Sequence, residues 1–268
     1  MKNILRSAAL VVTLTAAAFA VQAHNVWLLP SSTVLSKADW ITVDAAVSND
    51  LFFFNHRPLA LESLSITAPD GSIVQPENMA KGKLRSTFDV NLTQTGTYRL
   101  AVINEGVFAR WKDKATGQVK RARGTPDNIT SQVPADAQEV EITQSAGRIE
   151  SFVTVGKPST LRPSGKGMEL IPVTEPSDLV KDEKASFNLL IDGQPARDVE
   201  VTVTAGSTRY RDKVGEQTIK TDANGQFNVT WPAAGMYWLE ANTHDSKTSV
   251  ARAKERRLSY AATLEVMP

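Results

Sequence analysis

One sequence pattern occurs twice in the chain, and it constrains the fold more than any other feature. The copies align at a constant offset of 139 residues and read Phe88-x-Val90-x-Leu92-x-x-x-Gly96-x-Tyr98-x-Leu100 and Phe227-x-Val229-x-Trp231-x-x-x-Gly235-x-Tyr237-x-Leu239. Alternating apolar positions before the glycine indicate a strand that buries one face. A period of this length indicates duplicated domains rather than a solenoid of short repeats.

Short, β-branched and alternating segments dominate residues 24–268, and Gly, Pro, Asp and Asn separate them. In the first half the predicted strands are Val26–Leu29, Trp40–Val47, Leu61–Ala68, Leu84–Leu92, Thr97–Ile103, Glu139–Thr143 and Ile149–Val155. In the second half they are Glu169–Val173, Ala185–Ile191, Val199–Ala205, Gln217–Lys220, Gln226–Trp231, Met236–Ala241 and Leu258–Val266. A glycine shortly before a tyrosine, at the start of a penultimate strand, is typical of the tyrosine corner. The pattern predicts an all-β chain of two tandem immunoglobulin-like antiparallel β-sandwiches.

The predicted domains are an N-terminal sandwich over residues 24–156 and a C-terminal sandwich over residues 168–268. Residues 157–167 are rich in Gly, Pro and Ser, as is typical of a linker. Residues 104–137 do not fit a sandwich, because they are polar and poor in strand signals. We interpret them as a long excursion whose basic residues form a solvated face or a contact patch for an acidic lipid or partner.

Residues 1–23 have the pattern of a cleaved secretory signal peptide. Lys2 and Arg6 precede an apolar run from Ala8 to Ala20, and Val21 and Ala23 occupy the −3 and −1 positions of a cleavage site. The run is short for a membrane anchor, and no later segment approaches 18 apolar residues. The sequence therefore predicts a periplasmic protein without a transmembrane span in the mature chain.

Composition and motifs exclude several classes of function. The chain has no cysteine, so disulfides, thiolate metal sites and cysteine nucleophiles are absent. A formal net charge of +1 argues against nucleic acid as the main partner. No nucleophile elbow, phosphate-binding glycine loop, dinucleotide fingerprint or calcium loop occurs. We therefore predict no catalytic residues and no organic cofactor.

His24 is the strongest candidate ligand, because cleavage after Ala23 makes it the first residue of the mature protein. Its free amine and its imidazole then close one chelate ring on a metal ion. An α-amino group has a pKa near about 8, so a metal displaces its proton at neutral pH. A second imidazole completes a three-nitrogen site that suits Cu(II) or Ni(II) better than tetrahedral zinc. The alternative interpretation is a loose N-terminal residue without a ligand role.

His56 and His244 are the other histidines of the chain. His56 follows three phenylalanines, Phe52 to Phe54, which are expected to wall the site from water. Its alternative role is that of a turn residue beside a proline. His244 follows a strand of the second domain and is more simply explained as an exposed loop residue. If the sandwiches fold against each other, His244 and Asp245 reach a shared cleft.

The mature N-terminus resembles that of a bacterial periplasmic family known as a domain of unknown function. The motif is His24-Asn25-Val26-Trp27-Leu28-Leu29-Pro30-Ser31, and further similar pieces are Pro69-Asp70-Gly71 and the segment from Gly235 to Ala241. Family members are described as periplasmic components of cobalt/nickel uptake systems. The resemblance implies an immunoglobulin-like fold and transition-metal handling. Some relatives have a second histidine where this chain has Asn25, which leaves the number of ligands open.

Together these observations predict a non-enzymatic protein that binds Ni, Co or Cu through His24, His56 and His244. It would pass the metal to a transporter of the inner membrane. Two alternatives stay open. One is a copper-dependent oxidoreductase with an N-terminal histidine clamp, and the other is a metal-free binding or adhesion module, as many tandem sandwiches are.

Overall fold

A computed structural model describes residues 24–250 and 252–268 of the chain. The predicted signal peptide, residues 1–23, lies outside the described residues. In the first half the elements are β1 (Asn25–Pro30), β2 (Val34–Leu35), β3 (Asp39–Ser48), β4 (Arg57–Pro58), β5 (Leu64–Thr67), β6 (Ile73–Val74), β7 (Glu77–Lys81), β8 (Ser86–Leu92), β9 (Gly96–Lys112), β10 (Val119–Gly124), α1 (Ile129–Gln132) and β11 (Gln138–Val155).

The second half contains further strands and two short 3₁₀ turns, Pro176–Asp178 and Thr208–Tyr210. Its strands are β12 (Met168–Pro172), β13 (Lys184–Ile191), β14 (Gln194–Pro195), β15 (Glu200–Ala205), β16 (Gln217–Lys220), β17 (Gln226–Thr230), β18 (Gly235–Asp245) and β19 (Glu255–Val266). No helix of the described residues is long and apolar enough to cross a bilayer.

Two β-sandwiches are present, which confirms the predicted fold class. In the first, a sheet with the order β1-β3-β8-β7 packs on the sheet β11-β9-β5-β6. Alternate residues of both sheets, such as Val43, Phe88 and Leu100, form the apolar core between them. In the second, strands β12, β13, β14 and β17 pack on β19-β18-β15-β16, and Phe187 and Leu239 belong to that core.

One pairing joins the two sandwiches into a single structure. Strands β11 and β19 run parallel from Thr143↔Glu255 to Ser151↔Thr263, so one ten-stranded sheet passes through both. Trp27 and Trp238 lie in a small buried cluster between them, and the indole N–H of Trp238 donates to the carbonyl of Val26 at 2.9 Å. The sheet crosses the predicted boundary between residues 24–156 and 168–268, so those ranges stay a prediction about folding units.

The repeated pattern shares one hydrogen bond between its two copies. The backbone N–H of Gln94 donates to the hydroxyl of Tyr98 at 2.7 Å, and that of Ala233 donates to the hydroxyl of Tyr237 at 3.3 Å. The hydroxyl of Tyr237 also donates to the carbonyl of Ala233 at 2.8 Å. Both partners lie four residues upstream of their tyrosine, and Gln94 and Ala233 keep the 139-residue offset. Each tyrosine thus fixes the turn that enters β9 or β18.

The interpretation of residues 104–137 as a strand-poor excursion is wrong. Strand β9 continues to Lys112, and the predicted strands Glu139–Thr143 and Ile149–Val155 are one strand, β11, paired with it along its length. Strand β10 pairs with the outer half of β9. Buried Trp111, Ile129 and Ile142 give this arm a core of its own. The sequence does not predict these strands, because the many charged residues on their exposed face make the segment look like a polar loop.

A buried cluster of charges lies where β9, β11 and β19 meet the connecting segment. The guanidinium of Arg148 bonds the carboxylate of Glu150 at 2.9 Å, and the Tyr260 hydroxyl donates to the other oxygen at 2.7 Å. Arg99 lies 3.5 Å from Glu150 and 3.9 Å from Glu169. Both carboxylates are fully buried. Opposite charges and hydrogen bonds compensate much of the loss of water around these groups, although the Nε–H of Arg99 has no hydrogen-bond partner among the described residues.

The same charges hold the segment predicted as a linker, residues 157–167. The amides of Ser164 and Gly165 donate to Glu169 at 2.7 and 2.8 Å. Arg148 reaches the carbonyl of Lys166, and Arg99 reaches that of Arg162. The segment contains no strand or helix. It is nevertheless a fixed connection, because its backbone satisfies buried ionic groups.

Tyr260 makes the free energy of unfolding depend on pH in the alkaline range. Burial raises the pKa of Tyr260 well above its usual range, and the negative charge of Glu150 raises it further. In the unfolded chain a tyrosine ionises near about pH 10. Since the folded pKa is higher, the unfolded chain loses this proton first, and the free energy of unfolding falls as pH rises from about 10 through the folded pKa.

We expect Tyr260→Phe to flatten this alkaline loss, as measured by urea unfolding at a series of pH values. Tyr210 is 77% exposed and supplies the control, because Tyr210→Phe should keep the wild-type pH dependence. Equal slopes for wild type and Tyr260→Phe would contradict this assignment.

Candidate metal centre

The register of the first sheet brings His24 and His56 to the same end of β3. His24 immediately precedes β1, where Asn25 pairs with Ser48. His56 immediately precedes β4, where Arg57 pairs with Val47. Strand β1 lies on one side of β3, and β4 lies on the side that β8 also occupies. The two histidines therefore flank the end of one strand although 32 positions separate them in sequence.

The two imidazole rings are stacked. Their centroids are 3.9 Å apart, and their planes differ by 18°. Both side chains are exposed. Burial, slight as it is, lowers the pKa of His56, and the neighbouring charges of His24 and Arg57 lower it further. A lower pKa favours the neutral imidazole, which is the form that binds a metal.

A network of hydrogen bonds fixes the loop that carries His56. The side-chain oxygen of Asn55 accepts from the backbone N–H of Asn49 at 2.9 Å, and its amide donates to Asp50 at 2.7 Å. The carbonyl of Asn49 accepts from the side chain of Asn25 at 3.3 Å. The loop is thus tied to itself and to the residue that follows His24. The relative position of the two histidines is set by this network.

The three phenylalanines anchor the loop, and the expectation that they wall the site from water is wrong, because both histidines are exposed. Phe52 and Phe54 contact Trp27, with ring centroids 5.6 and 5.4 Å apart. Phe53 contacts Tyr210 of the second sandwich at 5.8 Å. All three are partly buried against the protein body. They hold the loop between the sandwiches and leave both imidazoles open to solvent.

His244 lies elsewhere. It is on β18 opposite Arg257 and lines a separate cavity with Ser145 of β11 and Glu255. The prediction of a loop position is wrong, because His244 lies within β18 and is exposed there. Asp245 instead points to Arg256, which it contacts at 2.6 Å.

The histidine pair has two imidazoles and lacks a third side-chain ligand. Within residues 24–250 and 252–268, no three His, Cys, Asp or Glu side chains are close enough to hold one ion. The donor set that remains is two imidazole nitrogens and the amine that cleavage after Ala23 would free on His24. Three nitrogen donors fit a tetragonal Cu(II) or Ni(II) ion. A shared ion requires the rings to turn from the stack, which their exposure permits.

A second feature beside this pair has no signature in the sequence. A polar cavity opens between the sandwiches next to Asn25 and Asp50, and Glu216 and Glu240 line it from the second sandwich. Glu216 and Glu240 lie in or beside ordinary strands and match no motif. Glu216 directly precedes β16, which pairs with β15, and β15 pairs with β18, the strand that carries Glu240.

The solved structures that match this chain have low sequence identity to it. The D0–D1 domain of Intimin is 12% identical, with a TM-score of 0.23 over 90% of this chain and 97% of that chain. The Escherichia coli adhesin FdeC is 11% identical, with a TM-score of 0.23 over 92% and 98%. The chicken CNTN1 FN1–FN3 domains are 6% identical, with a TM-score of 0.24 over 92% and 100%. Scores this low carry no argument about function.

No curated protein is significantly similar to the chain. One family model matches residues 21–245, which include the predicted cleavage site, both stacked histidines and His244. This match covers most of the sequence, including all of the first sandwich and the second as far as the end of β18. The chain therefore belongs to the family described as Domain of unknown function (DUF4198).

Proposed function

We propose that this protein binds a transition-metal ion, Cu(II), Ni(II) or Co(II), in the periplasm and is not an enzyme. The observation that carries the proposal is the stack of His24 on His56 at 3.9 Å, with His24 directly after the predicted cleavage site. Cleavage would add an amine to two imidazoles that the fold already brings side by side. The rings must turn to share an ion, but the backbone positions of both ligands are set before binding, which reduces the conformational freedom lost on binding.

Transfer of the metal to a transporter of the inner membrane is part of the same proposal. It is supported by the resemblance of the N-terminal motif to proteins of cobalt/nickel uptake. An open site also suits transfer, because an exposed metal can be reached by a partner's ligands. His244 lies outside this site and would act at most as a separate, weaker ligand.

The test is calorimetric titration of the secreted protein with Cu(II), Ni(II) and Co(II), after mass spectrometry of its N-terminus. The expected start is His24, with one ion bound per chain. A version that keeps Ala23 before His24 lacks the chelating amine, and His56→Ala lacks the second imidazole. Each should weaken binding by about a hundredfold or more, since even outer-sphere changes cost about 10–100-fold.

His244→Ala is the matched control and should bind as the wild type does. Equal affinity with and without Ala23 would refute the amino-terminal clamp. Oxidation of a polysaccharide by the copper-loaded protein with a reductant would favour the copper oxidoreductase. An unchanged melting temperature with every divalent ion would favour a metal-free binding module, because a ligand of the native state must stabilise it.

A further inference from the structure

A polar cleft of about 280 Å³ lies between the two sandwiches. Asn25 and Asp50 line it from the first sandwich, and Thr204, Glu216, Trp238 and Glu240 line it from the second. Its volume is at the small end of ligand pockets, which begin near about 300 Å³. None of the three histidines lines it, so the cleft is distinct from the candidate metal centre.

The lining of the cleft is acidic. Asp50, Glu216 and Glu240 are its ionisable residues, and no lysine or arginine of the described chain lines it. Ionised carboxylates only accept hydrogen bonds, and threonine hydroxyls and amide oxygens accept them as well. Such a wall is complementary to a ligand that is positively charged and rich in hydrogen-bond donors.

Thr204 provides an independent indication of a ligand. Its residue is only 1% exposed, and its hydroxyl oxygen has no hydrogen-bond partner among the described residues. An unpaired buried hydroxyl costs about 1–3 kcal/mol, and most buried polar groups are therefore paired. A donor bound in the cleft would pair it.

The strand register shows that Thr204 faces the cleft. Val201 and Val203 of β15 are in the core of the second sandwich, so Thr202 and Thr204 point to the opposite face. Thr204 pairs with Trp238, and Thr202 pairs with Glu240. These four residues all line the cleft.

The surroundings of Glu240 in the cleft disfavour its negative charge. Burial raises the pKa of the Glu240 carboxyl, a hydrogen bond with Asn242 opposes the rise, and the charge of Glu216 adds to it. Two carboxylates that repel each other in a partly buried cleft are stabilised by a cation between them.

A bare metal ion does not fit this arrangement. In the described chain no three acidic or histidine side chains converge on one point. The carboxylates are instead distributed around the cleft, so a ligand needs a separate hydrogen-bond donor for each of them. An organic molecule with two ammonium groups carries donors at both of its ends.

We propose that the cleft binds a small organic cation of the diamine class. Its ammonium groups donate to Glu240, Glu216 and Asp50, and one N–H donates to the orphaned hydroxyl of Thr204. Trp238 supplies an apolar wall for the methylene chain. The ligand contacts both sandwiches and so stabilises the junction between them.

The test is calorimetric titration of metal-free protein at low ionic strength with 1,4-diaminobutane as the probe. We expect one diamine per chain and a higher melting temperature on binding. Glu240→Gln should weaken binding by about tenfold or more, since a hydrogen bond to a charged group is lost. Thr204→Val should weaken it by about fivefold while the free protein stays as stable as the wild type or becomes more stable.

Matched controls separate this site from general charge effects. Glu77→Gln removes an exposed carboxylate on β7, and His56→Ala alters the candidate metal centre. Both should keep the wild-type affinity for diaminobutane, so the metal proposal and this one can fail independently. Two further probes, 1,4-butanediol and Mg²⁺, should not bind.

Three results would overturn the proposal. One is the absence of heat and of any melting shift with diaminobutane. Another is binding of butanediol or Mg²⁺ as tight as that of the diamine. The third is unchanged affinity in both Glu240→Gln and Thr204→Val.

Discussion

Glu150→Gln is expected to lower the free energy of unfolding by about 3–5 kcal/mol, because it leaves the buried Arg148 without its counter-charge and Arg99 with Glu169 alone. Glu150 is fully buried and receives Arg148 at 2.9 Å and Tyr260 at 2.7 Å, with Arg99 at 3.5 Å. Glutamine keeps the shape of the side chain, removes the charge and replaces one of the two accepting oxygens with a donor NH₂. Urea unfolding of the variant beside the wild type measures the difference.

Glu141→Gln is the matched control on the same strand. Glu141 also pairs with an arginine, Arg110 at 3.2 Å, but its side chain is 67% exposed. Exposed ion pairs contribute about 0–1 kcal/mol, because water screens them. Similar losses for the two variants would show that the buried cluster is not what holds the sheets and the connecting segment together.

Gly96→Ala is the second large effect, with an expected loss of about 2–5 kcal/mol. Gly96 has φ +133°, a conformation that side-chain-bearing residues rarely adopt. A Cβ there would lie 2.5 Å from Cβ of Pro69 and 2.7 Å from the hydroxyl oxygen of Ser159. Backbone strain of about 1–3 kcal/mol therefore adds to an overpacking cost of similar size. Thermal or urea unfolding measures the sum.

The duplication supplies the control, because Gly235 is the equivalent residue of the second sandwich. Its φ is +131°, and a Cβ there would meet nothing within 4 Å in the described structure. Gly235→Ala thus isolates the backbone strain, and we expect it to be about 1–3 kcal/mol less damaging than Gly96→Ala. Equal losses at the two glycines would mean that the contacts with Pro69 and Ser159 relax without cost.

The sequence predicted the sandwiches well where polar and apolar residues alternate strictly. Strand β16 was predicted with its observed bounds, Gln217–Lys220, and β8 and β13 within two residues. The arm formed by β9, β10 and β11 was missed, because its alternation is weak and its partners are distant in sequence. Pairing between strands, rather than local preference, makes that segment a sheet.

The candidate site likewise has a part that the sequence predicted and a part that only the fold decided. His24 and His56 were predicted as ligands from residue chemistry alone, and the structure places their rings in contact, while a metal role for either stays a prediction. The separation of His244 and the anchoring role of the three phenylalanines required the fold. No sequence period relates Thr204, Glu216 and Glu240 to Asp50, so the cleft was not predictable.

The amino-acid sequence by itself determined the duplication, the strand-rich architecture and the tyrosine corners, because these follow from local alternation and from residues with special backbone geometry. Only the tertiary structure decided how the halves join. The parallel pairing of β11 with β19, the buried charges that fix the connecting segment and the acidic cleft all arise from residues far apart in the chain. Such contacts depend on how two completed sandwiches pack, and no local pattern encodes that packing.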